Sequence, residues 1–240
     1  MVMIDHCSPA ANNYETSARP RKSGAWPLMK DRRALREQVK DLLRQGNFPG
    51  LVQLAGRETG VTTLLLQLLY APDELLHWRA LEGLGHLAAA YPGRVQKVIG
   101  RLLWSLNEDS GSFGWGAAAA LGEIGRHQVS LIQEIIPMFI GFLEEPFSQG
   151  PMLWGLGRLG EVHPELIAEV VPDIVPFLTS SEPQLRAYAA WCLGKLRYRE
   201  AASQLRQLLT DGQPAQIYDA GQLRRTSVAG VAREALERLD

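Results

Sequence analysis

The sequence predicts an all-α solenoid, a right-handed α-α superhelix of about five helix pairs with a helical cap at its N-terminal end. Three observations predict it: a short motif recurs at a near-constant period, the apolar residues between its copies follow helical spacing, and small residues crowd the second helix of each pair. The motif is leucine, glycine, a polar residue, then an aliphatic one. It reads Leu84-Gly85-His86-Leu87, Leu121-Gly122-Glu123-Ile124, Leu156-Gly157-Arg158-Leu159 and Leu193-Gly194-Lys195-Leu196, with first residues 37, 35 and 37 apart. A fifth copy without the glycine, Leu236-Glu237-Arg238-Leu239, follows 43 residues later. The longer interval is read as an extra loop from Asp211 to Gln222, rich in Gly, Pro and Asp.

Taken in chain order, residues 1–27 carry Ser, Asn, Pro and Arg with no apolar period and are expected to form a mobile arm. Residues 28–58 are expected to be a helical cap, since a solenoid must cover its exposed end. Within them Leu35, Val39, Leu42 and Leu43 mark an amphipathic helix ending near Gly46, and Leu51 to Gly56 a short second one. Residues 59–240 are the repeat domain. The first helix of each pair ends on Leu69, Leu106, Leu143, Leu178 or Leu209, and its partner carries the motif. Helical spacing is clearest at Leu131, Ile132, Ile135, Ile136, Phe139, Ile140 and Leu143, and again at Leu166, Ile167, Val170, Val171, Ile174, Phe177 and Leu178. Pro137, Pro172 and Pro176 lie inside these stretches and each removes a backbone donor, so bends are expected there. Glycine costs up to about 1 kcal/mol relative to alanine in a helix, so its recurrence at one phase calls for a packing reason.

The fourth repeat carries a family resemblance. Ile174-Val175-Pro176-Phe177-Leu178, followed by Gln184-Leu185-Arg186-Ala187-Tyr188-Ala189-Ala190-Trp191-Cys192-Leu193-Gly194-Lys195-Leu196, resembles the HEAT repeat, including its short variety found in phycobilin lyase subunits. That pattern pairs a proline-bearing first helix with a second helix that opens on valine or leucine, then arginine, and runs through alanines to leucine-glycine. Only Leu185-Arg186 keeps the full opening, and the resemblance spans roughly residues 60–240. It implies a HEAT/armadillo-like solenoid fold; HEAT solenoids serve many roles, so it implies no single function.

Composition narrows the partners. The chain has 240 residues, 46% hydrophobic and 21% charged, with a formal net charge of −1, so no global field draws it to nucleic acid or an anionic membrane. The charge is unevenly spread: residues 19–44 hold nine Lys or Arg against three acids, while from residue 45 onward sixteen basic residues face twenty-one acidic ones. Arg32, Arg33 and Arg36 in the basic head are read as a secondary contact for an acidic partner. Cys7 and Cys192 lie far apart with no apolar leader near Met1, which sets the expectation of a reducing cytoplasm and no disulfide framework. No apolar stretch approaches the length that spans a bilayer.

A catalytic reading requires convergent nucleophiles, bases or ligands. The histidines His6, His77, His86, His127 and His163 are read as scattered, with no P-loop, dinucleotide fingerprint or nucleophile elbow, so no catalytic residue, metal or cofactor is expected. The binding candidates are aromatic. Trp78 and Trp115 lie six residues before the motif leucine, and Trp154 and Trp191 lie two before it; positions four apart share a helix face. Four repeats would then each offer one indole to a concave ridge flanked by Tyr188, a hot-spot chemistry suited to a protein or peptide partner. The alternative is that the rings fill space left by Gly83, Gly116 and Gly155. A phycobilin lyase-like or cofactor-protein maturation subunit is the second functional reading. Nucleic-acid processing, the third, is disfavoured by the acidic body.

Overall fold

The computed structural model describes residues 25–71, 74–106 and 116–239, with side chains from Arg32 onward. The expected arm, 1–27, falls outside these residues except for its last three. Helix α1 (Ala25–Gln45) ends where Gly46 takes the left-handed conformation, φ +65°. There the Asn47 and Gly46 amides donate to the Leu42 and Leu43 carbonyls, satisfying two otherwise orphaned acceptors. Asn47 then caps α2 (Phe48–Arg57) by accepting from the Gly50 amide.

Five helix pairs follow. The first two are α3 (Gly60–Gln67) with α4 (Leu75–Ala90), and α5 (Pro92–Leu106) with α6 (Ala117–His127). In the third, short 3-10 turns lead into α7 (Phe139–Glu144) and then α8 (Pro146–Gly160). The fourth joins α9 (Val171–Ile174) and a 3-10 turn to α10 (Pro183–Lys195). The fifth sets α11 (Ala202–Gln207) beside α12 (Val228–Leu239). The first helices of the third and fourth pairs are more than bent. Pro137, Pro172 and Pro176 each open a new short segment, because the missing N–H and the proline ring interrupt the ladder.

The motif glycines have the packing role their recurrence calls for. The second helices α4, α6, α8, α10 and α12 pack consecutively into one layer. A Cβ on Gly122 would strike the backbone of Gly155 in the next repeat; on Gly157 it would lie 2.5 Å from the Trp191 ring, and on Gly194 2.7 Å from Ala235 Cα. Each motif glycine is thus a seat for the helix that follows.

The layer is strongly curved. Helices packed at 8–10 Å would put α4 and α10 about 27 Å apart if flat. Instead the Trp78 ring on α4 lies 6.3 Å from the Tyr188 ring on α10. The sequence also inserts an element that the loop reading of 211–222 did not foresee. An antiparallel hairpin, β1 (Pro214–Asp219) and β2 (Gln222–Ser227), departs between α11 and α12 and lies on the curved face.

Candidate functional site

The tryptophan ridge forms, but it does not face solvent. Trp78 and Trp154 meet edge to face with centroids 5.1 Å apart, and Trp154 stacks on Trp191 at 6.2 Å with planes within 4°. Tyr188 borders the cluster and Tyr218 of the hairpin stacks on Trp78 at 5.6 Å. Trp154 and Trp191 are 0% exposed and Trp78 3%. The open concave site expected at Trp78, Trp154, Trp191 and Tyr188 is therefore corrected: curvature brings the rings together and the hairpin covers them. Trp115 lies outside the described residues. The glycines expected to make room for the rings do not: Gly83 faces Leu51, Gly116 faces Leu69 and Gly155 faces the Ala118 carbonyl, and it is Gly157 that receives Trp191.

The hairpin is held by side chains from four second helices. Its tight turn places Ala220 at φ +49° and Gly221 at +75°, the left-handed pair that a two-residue hairpin loop demands. From α8, the Trp154 indole N–H donates to the Tyr218 carbonyl at 2.9 Å. From α10, Gln184 pairs twice with the backbone of Gln216, at 2.7 and 2.9 Å, and the Trp191 indole donates to Asp219. From α4, Arg79 reaches the Gly221 carbonyl at 3.1 Å while its other nitrogen donates to the Leu43 carbonyl of α1. Lys195 and, from α12, Arg238 complete the clasp on Asp219, at 3.0 and 3.2 Å. Burial alone would raise the Asp219 carboxyl, but Lys195, Trp191 and Arg238 outweigh it and hold it below the ordinary range.

Beside the rings runs a polar ladder that the sequence displayed without its meaning. The polar slot of the motif is His86, Glu123, Arg158, Lys195 and Arg238, one residue per second helix. Arg158 donates to both oxygens of fully buried Glu123, at 2.6 and 2.9 Å, and to Glu82 at 3.0 Å; the Tyr218 hydroxyl donates to the other Glu82 oxygen at 2.6 Å. Burial opposes the charge of Glu123, yet the bonds from Arg158 and His127 hold its carboxyl below the usual range. Burial likewise opposes Arg158, whose pKa Glu123 and Glu82 nonetheless raise. Burial, then the Glu82 carboxylate, push the Tyr218 phenol up. Two histidines read as scattered in fact meet: His86 and His127 lie 4.8 Å apart, with His127 3.2 Å from Glu123. Curvature creates that meeting, and one-dimensional spacing does not display it.

Within this arrangement the buried carboxylates pair with guanidinium and ammonium groups of the same layer. Cys192 is fully buried and burial raises its thiol pKa, so it is not poised as a nucleophile. Among the described residues no cluster of three or more His, Cys, Asp or Glu is placed to hold a metal ion, and no helix is long and apolar enough to cross a membrane. Arg32, Arg33 and Arg36 stand apart from the ridge. They are exposed on α1 and line a groove of about 400 Å³ with Leu35, Thr63 and Leu64.

Paired helices, repeat-phased glycine seats and a curved second-helix layer define the class: an α-solenoid of HEAT type. The chain carries HEAT-type repeats: it matches the HEAT-like repeat over residues 146–196 and the PBS lyase HEAT-like repeat over residues 185–211. It is 25% identical over 178 residues to an uncharacterized protein of Archaeoglobus fulgidus, covering 72% of this chain and 94% of that one. A crystal structure of an engineered protein aligns over 85% of this chain and 89% of its own, with 20% identity and a TM-score of 0.48.

Proposed function

We propose that this chain is a non-catalytic scaffold that binds a protein partner through its outer surface, its inner face being occupied by its own hairpin. The observation that carries this reading is the complete burial of Trp154 and Trp191 under Tyr218 and Asp219. A groove filled in this way acts as core, and what remains for recognition is the outside of the helix pairs. Hydrogen exchange on a complex with a co-purified partner tests it. New protection is expected on outer helices with none added over 214–227; protection gained or lost mainly at the hairpin would contradict it.

The match to the PBS lyase HEAT-like repeat supports a second reading, a phycobilin lyase-like or cofactor-protein maturation subunit. That reading expects a linear tetrapyrrole to change its absorbance on titration with the protein. An unchanged spectrum would remove it.

A further inference from the structure

We propose that the groove between α1 and α3 docks an acidic, amphipathic segment of a partner protein, with Arg32, Arg33 and Arg36 binding its carboxylates and Leu35 and Leu64 its apolar side. This rests on the scaffold reading above and assigns that scaffold a contact surface. On a helix the three arginines fall within an arc of about 100°. The facing wall is one side of α3, Gly60, Thr63, Leu64 and Gln67, at positions i, i+3, i+4 and i+7. Gly60 lets the walls close: a Cβ there would sit 3.3 Å from the Leu35 side chain. Among the described residues, no acidic side chain lines the groove.

Elsewhere Arg44 pairs with Asp41, Arg126 with Glu161, Arg186 with Asp211 and Arg224 with Glu234, whereas Arg32, Arg33 and Arg36 have no ion pair among the described residues. Three guanidiniums without an ion pair among the described residues, set over an apolar floor, complement carboxylates interleaved with aliphatic side chains. A flat bilayer does not reach a floor recessed between two helices. A nucleic acid finds, among the described residues, no aromatic side chain in this groove on which to stack a base, and the body beyond it is acidic. The N-terminal residues 1–24 hold Asp5 and Glu15 against Arg19, Arg21 and Lys22, so their charge does not complement the groove either.

The test is fluorescence anisotropy of the full chain with a fluorescein-labelled synthetic helix carrying glutamates on one face and leucines on the other. Binding at low salt is expected, weakened at least about tenfold in Arg32→Glu/Arg33→Glu/Arg36→Glu, since each exposed pair contributes modestly and charge reversal adds repulsion. Rising salt and a glutamine version of the peptide should weaken it too, and Leu64→Gln should weaken it while leaving all three charges. Thermal unfolding of the triple arginine variant should match the wild type, because the arginines are exposed; Leu64 packs partly against the core, so Leu64→Gln is read at a temperature where circular dichroism shows it fully folded. Binding of the triple variant within twofold of wild type would overturn the assignment. So would tighter, arginine-dependent binding of anionic phosphatidylserine vesicles or of oligo-deoxythymidine, or a tenfold gain on deleting residues 1–24, which would make the arm the occupant. If the triple variant loses nothing while hydrogen exchange still maps a partner to other outer helices, the groove assignment fails and the scaffold reading stands.

Discussion

Replacing Arg158 with methionine removes the guanidinium that pairs with two buried carboxylates. Its guanidinium makes three hydrogen bonds, two to Glu123 and one to Glu82, in a site where the Glu123 side chain is wholly buried. Stranding one partner of such a pair costs about 3–5 kcal/mol, because the remaining charge is desolvated without compensation. Glu82 keeps the Tyr218 hydroxyl, so the larger share falls on Glu123. Total stability for a domain is about 5–15 kcal/mol. With a urea m-value of about 3 kcal/mol/M, the midpoint should fall by at least about 1 M, read by far-UV circular dichroism. The double variant Glu123→Leu/Arg158→Met should regain most of that loss, since replacing a buried pair with apolar groups is often neutral or better. A loss below about 1 kcal/mol in Arg158→Met, or a double variant no better than the single, would refute the view that the ladder is charge-compensated core.

Four further outcomes follow from the same geometry. Tyr218→Phe should cost about 1.5–3 kcal/mol in chemical denaturation, the range for a hydrogen bond to a charged group. Ala220→Gly should raise stability by up to about 1 kcal/mol, because alanine pays a steric cost in the left-handed region that glycine does not. Gly122→Ala should destabilise by about 1–3 kcal/mol or more and lower the melting temperature, since the added methyl meets the Gly155 backbone. Acid should destabilise the fold through His77. Burial lowers its pKa to about 4, the Leu69 and Leu68 carbonyls opposing only in part, against an ordinary value of 6.5. The unfolded chain therefore binds more protons between those values, and stability is full above pH 6.5 and falls by about 3 kcal/mol toward pH 4. A denaturation series over that range should show the slope, and His77→Phe should flatten it.

The solenoid was legible because its information is periodic. The leucines and glycines of the motif mark where one helix seats on the next, and that recurrence survives in one dimension. The hairpin was not legible, because β2 reads Gln-Leu-Arg-Arg-Thr-Ser with little apolar alternation, while the Pro, Gly and Asp around it signal only a turn. A chain hydrogen-bonded to indoles and a glutamine needs no strong strand propensity of its own. The tryptophan register placed Trp78, Trp154 and Trp191 on one surface, but spacing along a helix says nothing about curvature between helices, and curvature turned that surface into core. The polar slot of the motif was visible in every repeat. Its meaning appears only when Arg158 of one helix meets Glu123 and Glu82 of two others.

The central claim, that the hairpin seals the tryptophan ridge, is tested most directly by exchange of the indole N–H protons in nitrogen-15 NMR spectra. Trp154 and Trp191 donate to Tyr218 and Asp219 and are 0% exposed, whereas Trp104 is 60% exposed. The expected result is that the Trp154 and Trp191 indole protons exchange only through global unfolding, many orders of magnitude slower than that of Trp104. Exchange of the Trp154 indole as fast as that of Trp104 would show an open ridge and contradict it.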